Sequence, residues 1–210
     1  MRKSTKRPAR RKRESLPCFE GNIIGGAHKG KKILIPNLST TRSSKVILRE
    51  SLFNTLQFDI IDKGFVEVFA GSGSIGLEAW SRGADKLFFI EKNRSVYTLL
   101  KENLQRLNAL DATAIHGDSF EVFPDIYTHI RNQKHKSYFY FDPPFSIREG
   151  MEDIYEKTLA LIGMIEPEVC ETIIVEHMST LKMPESIKGF TRKKVKKFGK
   201  SSLSYYMVAS

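Results

Sequence analysis

Short apolar runs recur through the middle of this chain. Each is followed by a stretch in which apolar positions return every three or four residues. The runs predict strands at 65–69, 86–91, 112–116, 137–142 and 171–176. The intervening stretches predict helices at 74–82, 94–107, 119–131 and 150–163, because a three-to-four step keeps apolar side chains on one helical face. Tyr138-Phe139-Tyr140-Phe141 has no charged position at all. A strand without a polar face is buried on both sides, as in a parallel sheet covered by helices. The repeated strand–helix alternation predicts a doubly wound α/β architecture.

Both ends depart from this rhythm. Asn22-Ile23-Ile24-Gly25-Gly26 and Lys32-Ile33-Leu34-Ile35 read as two short strands, with His28-Lys29-Gly30 as turn residues, so a hairpin is expected. Pro36 to Thr41 reads as a loop. Ser43 or Ser44 can cap a helix running to about Gln57, with Leu48, Leu52, Phe53 and Leu56 as its apolar face. Near the other end, Phe190 to Phe198 and Leu203 to Ala209 are strand-like, with only Gly199 to Ser202 between them. That gap is too short for a helical crossover, so the two must run antiparallel.

A length of 210 residues allows one well-buried domain with extensions. The expected division is a basic tail at 1–18, disordered when free, a hairpin-and-helix extension at 19–60, and the α/β domain at 61–210. The net charge of +10 is unevenly placed: eight of the 34 Lys and Arg fall in residues 1–13, leaving 26 against 24 acidic residues. Arg192, Lys193, Lys194, Lys196, Lys197 and Lys200 form a second cluster. Charge at both ends points to a polyanion, most simply nucleic acid. Cys18 and Cys170 are the only cysteines and fit a reduced cytosolic compartment. The five histidines show no paired spacing, so no metal is expected. No apolar run approaches the roughly 20 residues of a membrane helix, and no secretory signal is recognisable.

The candidate chemistry centres on Val66-Glu67-Val68-Phe69-Ala70-Gly71-Ser72-Gly73-Ser74-Ile75-Gly76. Strand, glycine turn and helix start bring backbone N–H groups close to a ligand. Gly71, Gly73 and Gly76 match the dinucleotide fingerprint, with Glu91 about twenty residues on. Glu67 argues against that ligand. A carboxylate inside an apolar run is costly unless it has a partner, and it would repel a pyrophosphate. S-adenosylmethionine carries an ammonium and a sulfonium and gains from Glu67, while Glu91 can accept from its ribose hydroxyls. Asp118, with Ser119 beside it, is placed either to accept from an adenine amino group or to cap the helix that follows.

Asp142-Pro143-Pro144-Phe145 follows the buried strand at 138–141, at the sheet edge where open α/β sheets bind ligands. The prolines lack N–H groups, so this turn presents acceptors only. A site made of acceptors suits an exocyclic –NH2 of a nucleobase. Hydrogen bonds to Asp142 and the Pro143 carbonyl would direct the amine and stabilise the charge that builds as nitrogen takes a methyl group. Phe145 offers a face for base stacking, once the base has left its own stack.

In this order, Glu67-Val-Phe-Ala-Gly-Ser-Gly73, Glu91, Asp118 and Asp142-Pro-Pro-Phe145 resemble the motifs of S-adenosylmethionine-dependent amino-methyltransferases. Ile23-Ile24-Gly25-Gly26, Lys29-Gly30-Lys31-Lys32 and Arg49-Glu50-Ser51-Leu52-Phe53-Asn54 are similar to the N-terminal extension of the bacterial RsmD-type 16S ribosomal RNA guanine-N2 methyltransferases. Leu77-Glu78-Ala79 and Ser81-Arg82-Gly83-Ala84 match them too, and the likeness spans roughly residues 22–208. The resemblance implies a class I methyltransferase (Rossmann-like) fold: a seven-stranded, mostly parallel sheet with an antiparallel C-terminal hairpin and an N-terminal hairpin extension. It implies methylation of one guanine amino group in 16S ribosomal RNA, within a 30S particle, by a cytoplasmic enzyme expected to be a monomer. By that match Glu67, Gly71, Gly73, Glu91, Asp118 and Ser119 hold the cofactor, and Asp142, Pro143 and Phe145 hold the base. The chain departs from the family at Glu67, where Asp is usual, and at Thr41-Arg42-Ser43 with Val46 and Ile47. The competing readings are an adenine-N6 DNA methyltransferase, an NAD-linked oxidoreductase and a non-catalytic ribosome-binding protein.

Overall fold

The structure, a computed structural model, describes residues 16–37, 42–144 and 153–209. Most of the basic tail, the helix start expected at 150 and Phe145 lie outside the described residues. The chain forms β1 (Cys18–Asn22), β2 (Lys32–Pro36), α1 (Arg42–Leu56), β3 (Gly64–Glu67), α2 (Ser74–Ser81), β4 (Lys86–Glu91), α3 (Arg94–Leu107), β5 (Thr113–His116), α4 (Ser119–Asn132) and β6 (Ser137–Phe141). These are followed by α5 (Ile154–Ile162), β7 (Cys170–Met178), β8 (Ser186–Ile187), β9 (Phe190–Phe198) and β10 (Ser201–Val208).

One eight-stranded sheet has the order β5-β4-β3-β6-β7-β10-β9-β8. The pairings from β5 through to β7 are parallel, and β10, β9 and β8 add on antiparallel. This is the expected architecture, with one strand more than seven: the two-residue β8, an edge piece too short to leave an apolar run in the sequence. Strand alternation sends side chains to two cores. Phe65, Phe89, Tyr138, Tyr140 and Ile174 join the face covered by α1, α2 and α3. Val66, Ile90, Phe139, Phe141 and Val175 join the face covered by α4 and α5. Every residue of β6 is buried, as an all-apolar strand requires.

The N-terminal hairpin is displaced from its expected position. The first strand is Cys18–Asn22, paired antiparallel with β2, and Ile23 to Gly26 lie outside it. The reason is a competing set of partners. The Ile24 and Gly25 N–H groups each donate to the Glu78 carboxylate at 2.8 Å. The Ala27 N–H donates to the Ser81 carbonyl and the His28 N–H to the Ser81 hydroxyl. Gly26 has φ +77° and lies so close to α2 that a Cβ would fall 1.8 Å from the Ser81 carbonyl oxygen. Backbone donors claimed by a buried carboxylate cannot also form a ladder, so the segment from Ile24 to His28 straps the hairpin onto α2 instead, while Ile23 still bonds to Lys31 and Gly30 across the hairpin.

Candidate active site

Strand order reverses between β3 and β6, the position where open α/β sheets bind ligands beyond their carboxyl ends. Glu67 ends β3, and its register partner on β6 is Tyr140. The Val68 N–H donates to the Tyr140 carbonyl at 2.9 Å, so the glycine turn and Asp142-Pro143-Pro144 leave the sheet side by side.

Glu67 is buried, with 3% of its surface exposed. Its Oε2 accepts from the Gly76 N–H at 2.8 Å, inside the first turn of α2. Among the described residues no Lys, Arg or His forms an ion pair with it. Burial pushes its carboxyl up to about 8; the Gly76 and Ile75 N–H groups oppose the rise, and the charges of Asp142 and Glu91 add to it. A carboxylate in this state gains its charge back from a cation and loses further from an anion.

The turn takes left-handed backbone at Gly71 and Gly73, with φ +54° and +76°. A Cβ at Gly71 would meet nothing within 4 Å, so its face looks into open space. The Gly71 N–H donates to Glu91 Oε2 at 2.8 Å, and the Asn93 N–H to Glu91 Oε1 at 2.6 Å. Burial raises the Glu91 pKa against these two donors. From α3, the buried Asn103 donates to the Ser72 carbonyl at 3.0 Å, and it also accepts from the Leu34 N–H and donates to the Leu34 carbonyl. One side chain thus ties the glycine turn to the N-terminal hairpin.

Asp118 caps α4, accepting from the Phe120 N–H at 3.0 Å, and pairs with Lys92 at 2.6 Å. Burial works against its charge, but Lys92 and the Phe120 N–H hold its carboxyl below the usual range. Ser119 is buried, and its hydroxyl donates to the Val68 carbonyl, directly under the glycine turn. Register places Glu91 opposite His116, so Glu91 and Asp118 stand at neighbouring strand ends.

At the end of β6, Asp142 is in company that sequence reading missed. Lys45 of α1 reaches over the strand ends, its Nζ 3.0 Å from Asp142 Oδ2 and 2.6 Å from Glu176 Oε1. Glu176 lies on β7, 1% exposed, and its Oε2 accepts from the Tyr140 hydroxyl at 2.7 Å. Burial and the charge of Glu176 push the Asp142 carboxyl up to about 6, while Lys45 holds it down. Glu176 had a visible signal, a carboxylate following Ile173-Ile174-Val175, the same one that marked Glu67. Lys45 had none. Pro143 is buried and Pro144 half-buried beside it. Among the described residues no group of three His, Cys, Asp or Glu is arranged to hold a metal, and no helix is long and apolar enough to cross a membrane.

Comparison with known proteins converges on one family. The family model described as Conserved hypothetical protein 95 matches residues 22–207. The chain is 31% identical over 172 residues to Ribosomal RNA small subunit methyltransferase D of Haemophilus influenzae, covering 80% of this chain and 84% of that protein. It is 35% identical over 140 residues to the protein of the same name from Escherichia coli K12, covering 67% and 65%. Among solved structures, the candidate methyltransferase yhhF of Escherichia coli superposes with a TM-score of 0.70 at 29% identity, over 90% of this chain and 98% of that one. A Thermus thermophilus 16S rRNA N2 G1207 methyltransferase, solved with AdoMet and guanosine, shares the fold alone. Its TM-score is 0.66 at 17% identity, over 93% of this chain and 52% of that one.

Proposed function

The chain belongs to the Conserved hypothetical protein 95 family, that of the RsmD-type methyltransferases, and from this premise we propose that it methylates the exocyclic N2 amine of a guanine in 16S ribosomal RNA, using S-adenosylmethionine. The observation that carries the reading is the pairing of two acidic sites at the β3–β6 reversal: the unpaired, buried Glu67 under a glycine turn, and Asp142 with its acceptor-only prolines.

The cofactor fits the residues present. Glu67 suits the cationic amino-acid end, and Glu91 retains lone pairs for ribose hydroxyls beyond the two it shares with backbone N–H groups. Asp118 and Ser119 lie at the strand end next to them, on the side that suits the adenine. A pyrophosphate fits poorly, because the Gly71 N–H it would need already serves a carboxylate. Bound there, the sulfonium supplies an electrophilic methyl group.

The chain's own contribution is alignment and charge. The Asp142 carboxylate and the Pro143 carbonyl accept hydrogen bonds from the guanine amine, aiming its nitrogen at the glycine turn. The charge-assisted bond to Asp142 contributes about 1.5–3 kcal/mol and the neutral one to Pro143 about 0.5–1.5 kcal/mol, and both strengthen as positive charge builds on that nitrogen. Phe145 stacks on the extruded base, worth about 1–3 kcal/mol. The enzyme works in the cytosol as a monomer, on a 30S particle and without a metal.

Incubation with unmethylated 30S particles and methyl-labelled S-adenosylmethionine tests this directly. Label is expected in N2-methylguanine by nucleoside mass spectrometry. Label in N6-methyladenine, or in no nucleoside, overturns the substrate. Asp142→Ala is expected to lower turnover by at least about a hundredfold with cofactor binding retained; turnover near wild type removes Asp142 from its assigned place.

A further inference from the structure

Building on that reading, we propose that Lys45 and Glu176 are positioning residues for methyl transfer: together they fix the orientation and the charge of the Asp142 carboxylate that receives the substrate amine.

The geometry is a bridge closed at every point. Phe141 and Val175 are register partners, which brings Asp142, just past the end of β6, beside Glu176 of β7. Both Glu176 oxygens are engaged, Oε2 by the Tyr140 hydroxyl and Oε1 by Lys45. The lysine is thereby anchored on a buried group and delivers its remaining reach to Asp142 Oδ2. Among the described residues Lys45 is the only hydrogen-bond partner of the Asp142 side chain. Holding Oδ2 fixes the carboxylate's rotation and leaves Oδ1 to face the substrate.

The charge argument has the same parts. Asp142 is faced by Glu67 from β3 and Glu176 from β7, both buried acids. Tyr140 of β6 and Tyr155 of α5 also face it, and both are pushed well above the ordinary tyrosine range, burial being the first cause. Lys45 of α1 supplies the only positive charge in this set. Burial works against that charge, but Asp142 and Glu176 together raise the lysine's pKa above its ordinary value. Without Lys45, the Glu176 charge would stand unopposed beside Asp142 and favour its protonation. A protonated Asp142 would no longer be the acceptor-only group that the amine needs. An exposed Lys–Asp pair does little; this one matters because its third member is buried.

The test is the pH dependence of single-turnover methyl transfer to 30S particles at saturating S-adenosylmethionine. The acid limb reports ionisation of Asp142. Lys45→Met is expected to move that limb to higher pH by about one unit or more. Glu176→Gln is expected to move it to lower pH, and Lys45→Arg to leave it near wild type. Opposite shifts from two touching residues cannot come from loosened packing, which would lower the plateau and leave the limb in place. Plateau losses with unmoved limbs overturn the proposal. A wild-type protein that transfers no methyl group to 30S particles overturns the substrate reading instead, so the two failures are told apart.

Discussion

If Glu67 serves a cation, cofactor binding must expel a proton. In the free protein its carboxyl sits at about 8, so at pH 7 roughly nine molecules in ten carry the proton there. An ammonium or sulfonium placed nearby favours the ionised form, and the carboxyl releases its proton on binding. Ionising it first costs about 1.4 kcal/mol at pH 7 and about 2.7 kcal/mol at pH 6, at 1.36 kcal/mol per unit. Affinity for S-adenosylmethionine should therefore climb close to tenfold per pH unit up to about 8 and then level off. Isothermal calorimetry in buffers of different ionisation enthalpy measures the proton directly, and close to one should leave at pH 7. Glu67→Gln should bind more weakly at pH 8 and lose this part of the pH dependence, which separates Glu67 from any titration of the ligand. Equal affinity in wild type and variant, with no proton released in either, would refute the assignment of Glu67 to a cationic ligand.

Two further outcomes follow from the packing around the turn. Asn103→Leu strips partners from the Leu34 N–H and from the Leu34 and Ser72 carbonyls, at about 1–3 kcal/mol for each group left dry. A loss of about 3 kcal/mol or more in urea denaturation is expected, and a change under about 0.5 kcal/mol would contradict it. Gly26→Ala and Gly71→Ala should split stability from binding. The first puts a methyl group against the Ser81 carbonyl and should cost more than about 2 kcal/mol; the second meets open space and should cost about 1 kcal/mol while weakening S-adenosylmethionine binding. Equal stability losses in the two variants would count against this account of the turn.

Where local chemistry decides an element, the sequence was enough. The bounds 86–91 and 94–107 match β4 and α3 residue for residue. Asn93 caps α3 by accepting from the Ser95 and Val96 N–H groups, and Asn108 ends it in left-handed backbone with φ +60°. The central strand was equally plain, because nothing in Tyr138 to Phe141 demands water. Reading failed where the deciding partner is far along the chain. Ile23 to Gly26 has the composition of a strand, but the Ile24 and Gly25 donors go to Glu78, more than fifty positions on. Lys45 meets Asp142 and Glu176 at separations of 97 and 131 positions, and nothing beside it in sequence marks that meeting. Glu67 and Glu176 were both open to the same inference, a carboxylate inside an apolar run. Only Glu67 is followed by a glycine turn that marks a ligand site.

The N-terminal hairpin and α1 bear on both halves of the site, and by different physics. The hairpin acts through hydrogen bonds: Asn103 locks β2 to the glycine turn, and Glu78 locks the strap to α2, whose first turn faces Glu67. Helix α1 acts through burial. Leu48, Leu52, Phe53 and Leu56 enter the same core as Phe65, Leu77 and Leu100, each contributing roughly 1.5–3 kcal/mol. On its other flank Lys196 of β9 donates to the Thr55 hydroxyl at 2.7 Å and the Ser51 hydroxyl at 3.0 Å, so the C-terminal hairpin grips the helix as well. A lysine on a helix held this firmly gives up less freedom in reaching two carboxylates than one on a loop. The burial that folds the extension therefore also sets where the positive charge stands above β6. Repacking the core under α1 would alter the site without touching a residue in it.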